Sequence, residues 1–470
     1  MMWSFNNHKE KVAAIQENGQ SITYGQLEEV SHEISMQIPH RSLIFSLCEN
    51  SIGSLVGYTS FLNNQMVPLL LDSGLDQELL DNLIEVYQPG YFWIANQKKA
   101  AFLQQYPQCL QTWEAYDYAL IKTPYDVTPL HEDLALLLTT SGSTGSPKLV
   151  RQSYKNIESN AKAIAEYLEI TDQERPITTL PMNYTYGLSI INSHLCQGAT
   201  ILLTNKGLMQ KEFWTFFKQE EATSFGGVPY TFEMLKRLRF FRMALPSLQS
   251  MTQAGGKLSP ELHKEFAQYA QDHQKRFYVM YGQTEATARM SYLPYKESLK
   301  KYGSMGIAIP GGKFSLIDVD EKKITEPEIT GELVYQGPNV TLGYAEKRDD
   351  LLKGDENQGT LITGDMAKQD EDGYYYIVGR KKRFIKIFGN RVNLDETERM
   401  LKAAFEDMGC ACSGIDDKMS IYITDELHKE AVKKFVSKKT GIHFSAFTVN
   451  YIPEIPINEA GKTLYIKLEE

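Results

Sequence analysis

The sequence predicts an α/β protein: a large part built on parallel sheets, a small β-barrel-like part, and a compact α+β module at its end. Three observations carry this. Short apolar runs alternate with helical patterns through the first two-thirds of the chain. After about Leu293 the texture changes to short alternating strands separated by glycine and proline turns. Beyond the basic, glycine-started stretch Gly379-Arg380-Lys381-Lys382-Arg383 the remaining residues form a separate, mixed pattern.

Taken in order, Ile22-Thr-Tyr-Gly-Gln-Leu27 leads into a helical pattern reaching about Ile38. Residues 43–48 read as a strand, 52–62 as a helix and 66–71 as the next strand, the unit from which parallel sheets are assembled. An apolar strand at 134–138 ends abruptly in Thr139-Thr140-Ser141-Gly142-Ser143-Thr144-Gly145-Ser146-Pro147-Lys148. A second series starts at Ile177 and passes through a helix after Tyr186 to a strand at 200–203. Helices at 212–219 and 230–239 follow, then a buried strand at 277–280 ending in Tyr281-Gly282-Gln283-Thr284-Glu285. The later strands are expected at 314–317, 331–335 and 373–378. No internal repeat or low-complexity segment interrupts the pattern.

At 470 residues the chain should hold more than one domain, and 42% apolar with 23% charged residues is ordinary for a globular enzyme. A formal charge of −10 makes nucleic acid an unsuitable partner. That charge is uneven: from Arg380 onward 16 Lys/Arg stand against 14 Asp/Glu, net +2, leaving −12 for the part before it. Five scattered cysteines without C-x-x-C spacing fit reduced thiols and no zinc site. No stretch is apolar enough for a membrane span and none reads as a signal segment, so a cytoplasmic protein is expected.

The loop after residue 138 concentrates hydroxyls, two glycines and a lysine. Such a loop can turn its N–H groups and hydroxyls around phosphates, since glycine has no Cβ to block close approach. It is not the generic phosphate loop G-x-x-x-x-G-K-[ST]: Gly142 and Gly145 are three apart, and Pro147 precedes Lys148. The second tempting stretch, Pro456-Ile-Asn-Glu-Ala-Gly461-Lys462-Thr463, fails the same test because its first glycine would fall on Pro456. A phosphotransferase of that class is excluded by spacing.

Other residues supply chemistry in the right places. Glu285, on a loop at a strand's C-terminal end, suits Mg²⁺ on a triphosphate, with Thr284 adding a hydroxyl to phosphate or metal. Asp365 in Ile-Thr-Gly-Asp suits ribose hydroxyls, and Arg380 could clamp ribose or phosphate with its planar fork. Ala254-Gly255-Gly256 offers side-chain-free backbone against which an adenine could lie.

These stretches, joined by residues 181–187, Gly331-Glu-Leu, Gly379-Arg380 and Lys386-x-x-Gly389-x-Arg391, resemble the adenylate-forming superfamily. Its members include acyl- and aryl-CoA synthetases, nonribosomal-peptide adenylation domains and firefly luciferase. The match follows the family's order over nearly the whole chain. The resemblance implies a large N-terminal domain, residues 1–380, of two sheet–helix subdomains plus a small distorted β-barrel. A small α+β lid, residues 381–470, completes it.

By the same resemblance the Thr140–Lys148 loop, with Ser141, Gly142, Ser143, Thr144 and Gly145, grips the ATP β/γ-phosphates. Thr284 and Glu285 bind phosphate and Mg²⁺, Asp365 binds ribose, and Tyr281 and Gly282 belong to the nucleotide site. Lys462 acts in adenylation, Lys386 in the second half-reaction, and Lys382 marks the hinge. Tyr184 stands where many acyl-CoA synthetases carry His, and the aspartate that would hold an amino acid's ammonium is absent. Asn183-Tyr184 resembles the pair of hydroxybenzoate-activating relatives. Gly187 and Arg289 complete the implied acid pocket, where Arg289 could meet a second carboxylate or polar tail. The chain is short for the family and lacks room for the insertion of ligases that stop at fatty acyl-adenylate.

The expected activity is therefore ATP- and Mg²⁺-dependent activation of a small or medium organic acid. The acyl group would pass to CoA or to the phosphopantetheine arm of a carrier protein, with Lys381-Lys382-Arg383 meeting either CoA phosphates or an acidic carrier. Two alternatives stay open: an aryl-acid or aminoacyl adenylating enzyme loading a carrier, and a nucleotide-binding module without turnover.

Overall fold

Strands that are apolar on both faces must be covered on both, and this sets the layout of the larger part of the protein. The computed structural model describes residues 5–127, 129–139, 148–388, 390–405, 408–415, 417–457 and 463–469. Two compact units divide the chain, residues 1–313 with 336–361 and residues 314–335 with 362–470. The expected boundary at 380/381 falls inside the second unit, at the short helix Lys381–Arg383.

In the first unit, Leu43–Cys48 is buried at all six positions and pairs in parallel with Val67–Asp72 and Tyr91–Ala95. Leu134–Thr139 extends the parallel set beside Val67–Asp72. Antiparallel strands close both sides: Tyr118–Lys122 with Leu110–Ala115, and Leu149–Ser153 with Gly343–Ala345. The result is an eight-stranded sheet.

The second series builds a nine-stranded sheet. Its parallel core runs through Ile201–Leu203, Pro176–Ile177, Ser224–Gly227, Ser250–Gln253 and Arg276–Tyr281. Val12–Gln16, not anticipated as a strand, joins this sheet in parallel beside Ile201–Leu203, with Ser21–Thr23 antiparallel on its other side. The helix after it starts at Tyr24, where Thr23 and Gln26 form a reciprocal cap, and ends at Ser35. Helix Ile52–Asn63 is buried on every side, which explains why its twelve residues carry no charge. One core spans this helix, Tyr24, Trp93 and residues of both sheets.

In the second unit the residues expected to make a small barrel form a five-stranded sheet that includes Lys313–Ile317, Gly331–Gln336, Thr360–Gln369 and Tyr375–Arg380. The α+β module follows. A hairpin of Phe384–Ile387 with Asn390–Asn393 precedes helix Leu394–Ala404, and a three-stranded sheet packs with helix Lys429–Thr440 around its own apolar core. Among the described residues no helix is long and apolar enough to cross a membrane.

Burial sets a pH limit on the first unit. His263 is fully buried; the Gly303 N–H donates to its Nδ1 at 3.1 Å, and its Nε2 lies 2.9 Å from Ser298 Oγ. The ring is thus satisfied as a neutral imidazole donating from Nε2, and burial pushes its pKa down to about 4. His194, also buried, is lowered to about 4 in the same way. In the unfolded chain both titrate near 6.5. The unfolded state therefore takes up protons first, so this stabilisation is complete above about pH 6.5 and fades as pH falls toward 4. Denaturant titrations at pH 7, 6 and 5 should show stability falling, with His263→Gln reducing the slope by about 1.4 kcal/mol per pH unit. An unchanged slope in the variant would contradict the assignment.

Candidate active site

The Tyr281–Glu285 turn is shaped by one glycine and two residues in the left-handed region. Strand Arg276–Tyr281 leaves the parallel core at Gly282, where a Cβ would stand 1.6 Å from the Ala288 carbonyl oxygen. No other residue fits. The chain then makes the short helix Thr284–Ala286, passes through Thr287 at φ +52 and Ala288 at φ +94, and returns so that Met290 N–H donates to Tyr281 O at 2.9 Å. Conformations of this kind cost on the order of 1–3 kcal/mol and persist only where surroundings enforce them.

The enforcement comes from a distant segment. Asn339 Nδ2 donates to the Ala286 carbonyl at 2.7 Å and to the Arg289 carbonyl at 3.0 Å, while Thr287 Oγ1 donates to Asn339 O at 2.8 Å. Thr341 N–H donates to Glu285 O at 3.0 Å. From the other sheet, Gln152 Nε2 reaches Thr284 O at 3.5 Å.

The same segment continues as Gly343–Ala345, antiparallel to Leu149–Ser153, with Tyr344 opposite Val150. Tyr344 donates its hydroxyl to Glu285 Oε1 at 2.7 Å. Lys148 Nζ lies 3.7 Å from the centre of the Tyr344 ring and 3.5 Å from a Glu346 oxygen. Burial, and then the Glu285 carboxylate, raise the Tyr344 phenol above its ordinary value, so it remains a protonated donor. Lys148 and Glu285, expected to share a site, are therefore brought together through a tyrosine that sequence reasoning did not select. Its only sequence signal is a Gly-Tyr pair with no chemical neighbour. The loop between the paired residues Thr139 and Leu149 holds Thr140, Ser141, Gly142, Ser143, Thr144 and Gly145, all outside the described residues.

Among the described residues no three His, Cys, Asp or Glu side chains gather to hold a metal ion. Glu285, the residue expected to hold Mg²⁺, would do so as a single carboxylate. That fits Mg²⁺, which keeps several waters and is commonly bound by one or two carboxylates together with substrate phosphates.

The implied acid pocket lies around helix Thr185–Leu195. Gly255 has φ +80, and a Cβ on it would meet the Tyr184 hydroxyl at 2.6 Å, so Tyr184 lies directly against the Ala254–Gly256 backbone. Gln253, fully buried, braces that backbone by donating from Nε2 to the carbonyls of Gly256 at 2.9 Å and Ala254 at 3.2 Å. Gly187 packs against the Pro181 carbonyl, and the buried Oδ1 of Asn183 has no hydrogen-bond partner. Arg289 is 2% exposed, with its guanidinium 4.7 Å from the Tyr186 ring centre.

In the second unit Asp365 sits inside the strand Thr360–Gln369, buried, opposite Arg380 on the neighbouring strand. Arg380 Nε is 3.2 Å from Asp365 Oδ1. Gly364, at φ +71, turns the chain just before it, and the Thr363 hydroxyl accepts the Asp365 N–H at 3.1 Å. Arg380 is thus a partner of Asp365 in this structure. Lys382 lies in the short helix Lys381–Arg383 and Lys386 in the strand Phe384–Ile387; Lys462 lies outside the described residues.

Residues 2–345 match the family model described as AMP-binding enzyme. A probable CoA ligase of Humulus lupulus is 28% identical over 349 residues, covering 71% of this chain and 62% of that protein. A 2-succinylbenzoate–CoA ligase of Bacillus licheniformis is 27% identical over 356 residues, 73% of this chain and 71% of its own. Against the first of the curated relatives the chain spans only about three-fifths of their length. Among solved structures, the o-succinylbenzoate CoA synthetase of Bacillus subtilis, in complex with its acyl-adenylate intermediate, superposes with a TM-score of 0.78. Its identity is 20%, over 99% of this chain and 96% of that one, a likeness of fold.

Replacing Gly282 by alanine should break this turn. With its Cβ forced onto a backbone carbonyl, Gly282→Ala should lose nucleotide binding and about 1–3 kcal/mol of stability. Calorimetric nucleotide titration together with thermal unfolding would check this; a variant that binds and melts like the parent would refute it.

Proposed function

The chain belongs to the AMP-binding enzyme family, and we propose that it activates a small or medium organic acid with ATP and passes it to the thiol of CoA. The observation that carries this is the meeting of Lys148, Tyr344 and Glu285 beside a turn whose backbone tolerates only glycine at its first corner. The names of the matched relatives, CoA ligases, support CoA as the acceptor.

The chemistry has two balanced steps. A carboxylate oxygen of the acid attacks the α-phosphorus of ATP, the bond from that phosphorus to pyrophosphate breaks, and acyl adenylate forms. The thiol sulfur then attacks the acyl carbon, its proton leaves to solvent, and the C–O bond to AMP breaks to give the thioester. In the first step two anions must approach each other, so placed positive charge is the main catalytic contribution. Lys148 and the hydroxyls of the loop before it offset the β/γ-phosphate charge. Glu285 would hold Mg²⁺, which when bound would supply positive charge to the phosphates, and Tyr344 orients Glu285. Asp365 accepts the ribose hydroxyls, steadied by Arg380. Asn183 and Tyr184 contact the acid. Lys462 serves adenylation and Lys386 thioester formation, a division that a hinge at Lys382 would permit.

ATP–pyrophosphate exchange over a panel of acids, followed by CoA trapping, tests the activity, and two lysine variants test the division of labour. Lys462→Ala should lower exchange by about 10²–10³ yet still form thioester from supplied acyl adenylate. Lys386→Ala should do the reverse. Both losses falling on one half-reaction would refute the division; no exchange with any acid would refute the activity.

Tyr344→Phe removes a hydrogen bond to a charged group, worth about 1.5–3 kcal/mol. It should lower kcat/KM for Mg-ATP roughly tenfold or more while leaving the KM for the acid unchanged. Steady-state kinetics at varied Mg²⁺ would show no change if Tyr344 did not orient Glu285.

A further inference from the structure

Among the described residues of the first unit, two guanidinium groups are fully buried, Arg151 and Arg289, and a carboxylate pairs with the first. Arg151 donates to the carbonyls of Leu342, Tyr344, Lys353 and Gly354 and pairs with the Glu356 carboxylate. Arg289 has no such partner. Its Nε donates to Ser189 Oγ at 3.1 Å, and its Nη1 reaches the Tyr167 hydroxyl at 3.2 Å and Met280 Sδ at 2.8 Å. Its Nη2 has no partner, and no carboxylate bonds the group among the described residues.

The titratable groups around it supply no negative charge near neutrality. Burial holds the Tyr167 and Tyr186 phenols above their ordinary values, and it keeps His194 neutral. A charge withdrawn from water without a counter-charge is strongly disfavoured, so an arriving anion that pairs with it relieves that cost. The position says which anion. Arg289 is four residues past Glu285, at the other end of the same enforced turn. The Tyr186 ring that covers it belongs to the helix opened by Asn183 and Tyr184, with the two tyrosine rings 6.4 Å apart, and Tyr184 lies against Gly255.

We propose that Arg289 holds the second carboxylate of a short dicarboxylic acid, so that the opposite carboxylate is the one presented for adenylation. The planar fork matches a carboxylate, and the neutral hydroxyls and rings around it exclude competing acids of the protein itself. Arg289 is then the residue that sets substrate class. This rests on the acid-activating reading above, and the experiment separates the two.

Exchange kinetics with dicarboxylic acids of three to six carbons, phthalic acid, and the monocarboxylic acid of matching skeleton in each case should favour a diacid. The expected kcat/KM advantage is about 10² or more over its partner, of the size seen when one member of a buried charge pair is removed. Arg289→Met should lower the diacid's kcat/KM by a similar factor, chiefly through KM, and abolish its advantage over the monoacid; Arg289→Lys should keep part of the preference. Thermal unfolding of each variant shows whether it is folded, and the preference of the parent enzyme stands independently of them. A parent that uses monoacids as well as diacids overturns the inference while leaving the activity intact, as does Arg289→Met weakening both acids alike. Absence of exchange with every acid overturns the activity and this inference with it.

Discussion

The larger unit depends on how its eight-stranded sheet is finished. The strand Leu149–Ser153 runs antiparallel to Leu134–Thr139 and receives Gly343–Ala345 from almost two hundred residues away. Arg151 secures that pairing. Buried at the centre of the strand, it donates to four carbonyls of the incoming segment and to Glu356. Removing the partners of a buried guanidinium is costly because it strands a charge out of water, and here the carbonyls supply most of those partners while the Glu356 carboxylate is half-exposed. The segment that Arg151 holds also carries Asn339, Thr341 and Tyr344 to the Glu285 turn.

The turn itself illustrates how strain is kept. Thr287 and Ala288 adopt left-handed backbone without being glycine or asparagine, and Gly282 is pressed against the Ala288 carbonyl. Local sequence would not hold such a conformation. The Asn339 side-chain amide does so by donating to the Ala286 and Arg289 carbonyls, and the Asn339 backbone carbonyl by accepting the Thr287 hydroxyl. The result is a carboxylate whose position is fixed in advance, with one oxygen engaged by Tyr344.

Much of the fold was legible because two physical signals are strong in this chain. Leu43–Cys48, Val67–Asp72 and Arg276–Tyr281 read as apolar runs bounded by polar turns, and each is a strand of a parallel core. Helix Lys211–Gln219 announced itself by its aromatic face. The edges were harder to see. Leu110–Ala115 is mostly exposed and Val12–Gln16 only partly buried, so neither carries the apolar continuity by which the inner strands are recognised. That Val12–Gln16 would pair with Ile201–Leu203 is a non-local decision, made by which face is left uncovered.

The sequence alone determined the residue types that chemistry needs and their order: the hydroxyl- and glycine-rich loop closed by Lys148, the acid at Glu285, the acid at Asp365, and the two late lysines. For Lys148, Glu285 and Asp365 those assignments rest on functional groups and spacing, which a linear chain displays openly; for the two late lysines they rest on the resemblance to the adenylate-forming superfamily. Tertiary structure decided which groups meet and which stand alone. Tyr344 becomes a partner of Glu285, Arg380 a partner of Asp365, and Arg289 a buried cation without a carboxylate. The reason is that hydrogen bonding and charge compensation depend on distance in space and on removal from water, and neither quantity is written along the chain until strands far apart in sequence have been laid side by side.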